Sequence, residues 1–157
     1  MSSGDLEIEF MRTDSRAVVP TKAHDSDIGY DLTAIDVFKR LSGNTVLYET
    51  GIAIKPPSGY YIEILPRSSI TKTGMMLANS VGIIDPDYRD SLKIAVRTVD
   101  ESLEQPKLPF CRFQLVLRKT ENATFREVKS LNDTERGLGG FGSTDDNSSK
   151  LRYSLYR

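Results

Sequence analysis

Apolar and polar residues alternate one for one through much of this chain, in runs too short for a helix and closed by turn residues. Leu6, Ile8 and Phe10 alternate with Glu7 and Glu9, which predicts a half-buried strand. Tyr60, Ile62 and Ile64 alternate with Tyr61, Glu63 and Leu65. The same period of two returns with Leu92, Ile94 and Val96, and again with Phe113, Leu115 and Leu117. Thr45 to Lys55 is rich in Val, Ile and Tyr, with Gly51 as the expected bend or bulge. Turn clusters at Leu41-Ser42-Gly43-Asn44, Pro56-Pro57-Ser58-Gly59 and Asp85-Pro86-Asp87 separate these runs. Many short strands without sustained helical periodicity predict an all-β barrel or sandwich. The one expected helical turn is Ser68 to Thr73, between Pro66 and Gly74.

A chain of 157 residues is the size of one domain and buries about two-thirds of its unfolded surface. Its 21 basic and 22 acidic residues are mixed along the sequence, for a net charge of −1. No basic stripe marks it for nucleic acid or a membrane surface. A charged ligand must therefore be held by a few placed side chains. The single Cys111 excludes an internal disulfide framework and a cysteine-rich zinc site. The one histidine, His24, sits in a polar stretch and reads as a surface residue. MSSGDLEIEF lacks the pattern of a signal peptide, and no run approaches membrane-spanning length, so the expected location is cytoplasmic or nuclear.

From Asn132 onward Asn, Asp, Gly, Ser and Thr dominate and apolar periodicity stops. The expected organisation is a β domain over residues 1–131 and a flexible C-terminal arm over 132–157. The arm contains Arg136-Gly137-Leu138-Gly139-Gly140-Phe141-Gly142-Ser143-Thr144. Gly137, Gly139 and Gly142 have the spacing of a dinucleotide fingerprint, but no helix follows and the chain ends too soon for the acidic partner. Glycine backbone amides wrap phosphate oxygens, and Arg136, Ser143 and Thr144 add donors. Phe141 offers an aromatic face to a base. These features describe a flap over a nucleotide polyphosphate.

Three further constellations carry candidate chemistry. Pro66-Arg67-Ser68-Ser69 places an arginine and two hydroxyls after a strand, a setting that favours an anion. Asp85 follows the apolar pair Ile83-Ile84 in an expected hairpin, where a carboxylate can act as general base towards water. Asp31 stands among apolar neighbours in Asp27-Ile28-Gly29-Tyr30-Asp31-Leu32 and is uninformative alone.

Taken in order, these segments resemble the five motifs of the trimeric dUTP pyrophosphatase (dUTPase) family. The first is Asp27 to Leu32, the second Pro66 to Ser69, and the third Gly82-Ile83-Ile84-Asp85-Pro86-Asp87-Tyr88-Arg89. The fourth, Cys111-Arg112-Phe113-Gln114-Leu115, is the weakest, and the fifth runs Arg136 to Thr144. The resemblance implies a distorted β-barrel or jelly roll, assembled as a homotrimer with sites shared between subunits and the arm of one chain covering another's site. It implies hydrolysis of dUTP to dUMP and pyrophosphate with Mg2+, which limits uracil in DNA and supplies dUMP for thymidylate synthesis.

Carried to matching positions, the resemblance makes Asp85 the base for the water that attacks the α-phosphorus, and a contact of the sugar 3′-hydroxyl. Tyr88 packs beneath the sugar and leaves no room for a 2′-hydroxyl. Asn79 meets the uracil edge, with the backbone of Gly82 and Ile84 completing the recognition. Arg67, Ser68 and Ser69 bind phosphate oxygens, and Gln114 holds phosphate or the water. Arg136 reaches the γ-phosphate, Phe141 stacks on uracil, and Gly142, Ser143 and Thr144 add phosphate contacts. Asp31 supports Mg2+ through water and pairs with Arg67.

Some positions depart from the family pattern. Asp90 stands where the third motif carries glycine, and Pro109-Phe110-Cys111 where the fourth begins Gly-Asp-Arg. Phe113 replaces a small residue, Asp27 stands for Ser or Ala, and Asp145 for glycine. Two alternatives stay open. A dCTP deaminase shares the fold and the Arg-Ser-Ser segment but lacks the glycine-rich arm over the base. A non-catalytic nucleotide-binding relative would tolerate the altered fourth motif, but needs neither Asp85 nor Arg136.

Overall fold

The computed structural model describes residues 6–143, and Thr144 and Asp145 fall outside them. The chain divides into two units, residues 1–122 and 123–157. The first holds every strand described. These are β1 (Glu9–Arg12), β2 (Tyr30–Ala34), β3 (Asp36–Arg40), β4 (Thr45–Glu49), β5 (Ile52–Lys55), β6 (Tyr60–Pro66), β7 (Met75–Leu77), β8 (Gly82–Ile84), β9 (Lys93–Thr98) and β10 (Phe110–Lys119). A 3-10 helix spans Ser68–Lys72, one residue short of the expected turn. No helix among the described residues is long and apolar enough to cross a membrane.

All strand pairs are antiparallel. One four-stranded sheet has the order β2-β10-β6-β8, the other β3-β4-β9-β7, and β1 pairs with β5 as a ribbon. A single core joins them. Leu32, Ile62, Ile64, Phe113 and Leu115 come from the first sheet, Met75, Leu77, Ile94 and Val96 from the second, and Ile52 and Ile54 from the ribbon. Each fully buried side chain of this size stabilises by about 1.5–3 kcal/mol. The result is the all-β fold that the alternation predicts and the jelly roll that the resemblance implies, with its sheets left open rather than closed by hydrogen bonds into one barrel.

Gly51 does what a bend residue must. Its φ is +68°, and a Cβ there would meet Asp14, Ala17 and Ile35. It splits the apolar run into β4 and β5, which enter different sheets. Glu49 Oε1 accepts the backbone N–H groups of Thr50 and Gly51 at 3.0 and 2.7 Å, fixing the corner.

The first strand differs from its expectation. β1 begins at Glu9, and all four of its residues are exposed. Ile8 packs against the core, but Leu6 and Phe10 remain exposed. Its ribbon partner β5 is buried at Ile52, Ala53 and Ile54 while β1 carries no buried residue, so the alternation in its sequence does not report a covered face. The short strands β2, β3, β7 and β8 escaped the alternation reading because three to five residues carry too little periodic signal.

In β10 both Phe110 and Phe113 are buried, although three positions apart they should face opposite sides. The pairing with β2 resolves this. Phe110 stands opposite Ala34 and Phe113 opposite Leu32, so one extra residue bulges between them. Phe113 is fully buried, facing the core rather than the polar face of its neighbour Gln114.

Candidate active site

Strand register brings the first, second and fourth motifs together. Gln114 stands opposite Asp31 on β2 and Leu65 on β6, so these side chains share the face turned away from the core. Gln114 Nε2 donates to the Pro66 carbonyl at 3.0 Å. Its side chain lies over Gly29, where a Cβ would collide with the amide group.

Arg67, just past β6, is held at three points. Its backbone N–H donates to the Arg112 carbonyl at 2.9 Å, and its guanidinium Nη1 to the Cys111 carbonyl at 3.1 Å. Nε pairs with Asp31 Oδ1 at 3.0 Å, with both side chains about one-third exposed. The β10 bulge turns these two carbonyls towards Arg67. Next to it, Ser69 Oγ is buried without a hydrogen-bond partner. An orphaned hydroxyl of that kind costs stability unless an acceptor arrives.

The third motif is not the hairpin expected: β8 pairs with β6, while β7 and β9 belong to the other sheet, so the motif is a short strand between two tight turns. Val81 N–H donates to the Asn79 carbonyl at 2.7 Å, and Ser80 takes a φ of +64° to make the turn. A Cβ on Gly82 would lie 3.1 Å from Ile64 Cβ and 3.6 Å from Asn79 Nδ2, so a side chain there would fill the space beside Asn79. Ile84 pairs with Ile62, which puts the following residue, Asp85, beside Tyr61. Asp85 is exposed and lines a cavity of about 520 Å³ with Tyr61, Ile83, Pro86 and Lys119. Its carbonyl accepts the Tyr88 N–H at 3.1 Å, closing a turn that ties Tyr88 to it. The Tyr88 hydroxyl donates to the Ser91 carbonyl at 3.2 Å.

The chain therefore brings its candidate site residues together in two groups at opposite ends of β6. Asp85 stands beside Tyr61 near its start, and Arg67 follows its end. Six residues of extended chain, at about 3.3 Å each, separate them by roughly 20 Å.

The second unit holds the arm's motif. Gly137 N–H donates to the carbonyl and hydroxyl of Thr134, at 3.0 and 3.1 Å. Arg136 Nε donates to the Gly139 carbonyl at 3.1 Å, and Ser143 N–H to that of Gly140 at 3.1 Å. Gly137, Phe141 and Gly142 take positive φ, so the segment is a chain of tight turns with the Phe141 ring fully exposed.

Among the described residues no three His, Cys, Asp or Glu side chains cluster as metal ligands. Asp31 presents a lone, partly exposed carboxylate that meets Arg67 through one oxygen. That donor set suits a cation held chiefly by phosphates and water, such as Mg2+, and does not suit a protein-caged metal. Alternation alone could not reveal the Cys111, Arg112 and Pro66 carbonyls that anchor Arg67 and Gln114. The odd spacing of Phe110 and Phe113 was the available signal of the bulge.

Fold and site together define an all-β jelly roll with a phosphate-suited polar face. The dUTPase family profile matches residues 15–145, and the chain belongs to the dUTPase family. It is 38% identical over 144 residues to the deoxyuridine 5′-triphosphate nucleotidohydrolase of Rhodococcus erythropolis, covering 90% of this chain and 88% of that one. The structure resembles the dUTPase of Staphylococcus bacteriophage 80alpha with dUpNHpp, at a TM-score of 0.72 and 20% identity over 88% of this chain and 98% of that one. The dUTPase of phage phi11 of S. aureus superposes at a TM-score of 0.66 and 18% identity, over 81% of this chain and 99% of that one. Its structure is described as revealing the coordination of a structural Mg(II) ion.

Proposed function

We propose that the protein hydrolyses dUTP to dUMP and pyrophosphate at sites shared between the subunits of a homotrimer. Membership of the dUTPase family carries the reaction, with Asp85 retained in the third motif, in the turn after β8. The placement of Asp85 and Arg67 at opposite ends of β6 supports the sharing, since one triphosphate does not span both groups within a chain.

In this reading the water attacks the α-phosphorus, its proton passes to Asp85, and pyrophosphate leaves with the bridging oxygen. Arg67, held by Asp31 and the Cys111 carbonyl, meets the phosphate oxygens with Ser68. The unpartnered Ser69 hydroxyl gains its acceptor there. Gln114, fixed by the Pro66 carbonyl, orients phosphate or water. Asn79 reads the uracil edge beside the space kept open by Gly82, with the backbone of Ile84, while Tyr88 lies under the deoxyribose. Arg136 meets the γ-phosphate, Phe141 covers the base, and Gly142, Ser143 and Thr144 close on the phosphates. Mg2+, when bound with the substrate, would supply charge neutralisation, and Asp31 would hold it through its water shell.

The test is pyrophosphate release from dUTP, dCTP, dTTP and UTP with Mg2+, with and without EDTA. Release confined to dUTP and weakened by EDTA supports the reading. Release from none of them, with ammonia formed from dCTP, replaces it with the deaminase.

A further inference from the structure

Behind Tyr88 lies a charged cluster that the proposed site does not use. Lys93 opens β9, opposite Glu49 of β4. Its ammonium is mostly buried and stands 3.5 Å from Glu49 Oε2, 3.0 Å from Asp90 Oδ2 and 2.7 Å from Ser91 Oγ. It also lies 4.8 Å from the centre of the Phe38 ring. Asp90 closes the loop from the other side, its Oδ1 accepting the Ser91 N–H at 2.7 Å. Ser91 is thus gripped at its amide and its hydroxyl, and its carbonyl is the acceptor for the Tyr88 hydroxyl. The corner-fixing Glu49 ties the arrangement to the sheet.

We infer that Lys93 and Asp90 are positioning residues for Tyr88, and that through Ser91 they set the preference for deoxyribose over ribose. This rests on the reading of Tyr88 as the residue beneath the sugar. A ring that excludes one hydroxyl must be held to a fraction of an ångström, because small displacement opens space for an oxygen. The Tyr88 side chain is itself exposed and has one hydrogen bond to a fixed group, the Ser91 carbonyl. That carbonyl belongs to the peptide unit whose Leu92 N–H donates to the Ile52 carbonyl at 2.8 Å, and the Lys93 and Asp90 contacts fix the Ser91 side of the same unit. Asp90 grips this loop through both carboxylate oxygens, one on the Ser91 N–H and one on the Lys93 ammonium.

The experiment compares kcat/KM for dUTP and UTP in the full-length wild type and in Asp90→Asn, Lys93→Met, Tyr88→Phe and Tyr88→Ala. Asp90 is 70% exposed, so Asp90→Asn folds even if Lys93→Met does not. The expected result is a loss of about tenfold in dUTP-over-UTP preference for Asp90→Asn and Lys93→Met, with dUTP turnover retained. Combined with Tyr88→Phe, Asp90→Asn should add little further loss, because both act on one hydrogen bond. An unchanged preference in Asp90→Asn and Lys93→Met, while Tyr88→Ala admits UTP, overturns the inference and leaves the Tyr88 reading standing. An unchanged preference in Tyr88→Ala overturns the Tyr88 reading itself, and the inference with it.

Discussion

Asp85 and Arg67 sit at opposite ends of the same strand, β6, with Asp85 beside Tyr61 and Arg67 past Pro66. With the roles proposed for them, a base and a phosphate ligand, residues so placed serve one substrate when they come from different copies of the chain. Arg67→Ala and Asp85→Asn proteins, each inactive alone, should therefore recover part of the wild-type activity when unfolded, mixed and refolded together. Activity that stays at the level of the separate variants would remove the shared site.

Asp85→Asn alone tests the base. The amide keeps the shape and the turn to Tyr88, which uses the backbone carbonyl. Turnover should fall by about 10²–10⁴-fold while binding of a non-hydrolysable dUTP analogue holds. Calorimetry beside steady-state kinetics separates the two, and comparable turnover would strip Asp85 of its role.

Gly29 is the floor beneath Gln114. A methyl group there collides with the Gln114 amide and lies 3.1 Å from Gln114 Cβ, with no backbone among its nearest atoms, so the amide moves and the strand yields by a few tenths of an ångström at most. Gly29→Ala should keep its melting temperature close to wild type and lose activity to about the extent of Gln114→Ala. An active Gly29→Ala protein would show that the Gln114–Pro66 hydrogen bond is dispensable.

Phe113 departs from the small residue of the family pattern, yet its side chain fills the core opposite Leu32. Restoring a small residue with Phe113→Ala should cost about 3–5 kcal/mol in urea unfolding, the penalty of a cavity in a packed interior. A loss below about 1 kcal/mol would mean that the core closes over the gap.

Arg16 joins Asp14 and Asp36 at 2.8 and 3.0 Å. Hydrogen bonds from the Arg16 side chain and backbone hold the Asp14 carboxyl down to about 2, below its usual range. A depressed folded-state value means stability present above the unfolded carboxyl value of about 3.9 and lost as pH falls towards the folded one. The urea midpoint of wild type should exceed that of Asp14→Asn at pH 6, and the gap should narrow towards pH 2–3. A gap independent of pH would assign the difference to something other than charge.

Much of this molecule was legible as a string of residues, for identifiable reasons. β6, β9 and β10 are long enough for alternation to show, and their apolar sets are the ones that meet in the core. Gly51 was readable because only glycine tolerates its φ amid three neighbouring side chains. β1 misled because alternation reports a pattern and not whether anything lies over it. At the candidate site the side chains could be named from their motifs, but their anchors could not. Backbone carbonyls such as those of Cys111 and Pro66 look alike in every sequence, and only the bulge and the register aim them. The Lys93 cluster was hidden for a related reason, since it joins strands through residues 44 positions apart, Glu49 and Lys93.

β8 has three residues, lies at the outer edge of its sheet, and ends at Asp85-Pro86. An edge strand offers unpaired backbone groups to any other chain, and long flat edges are where proteins begin to aggregate. Here the strand stops as soon as it has delivered its carboxylate, and Pro86 has no N–H with which to extend a ladder. The geometry that leaves Asp85 accessible thus also gives crowded copies of the chain little edge on which to stack strand upon strand.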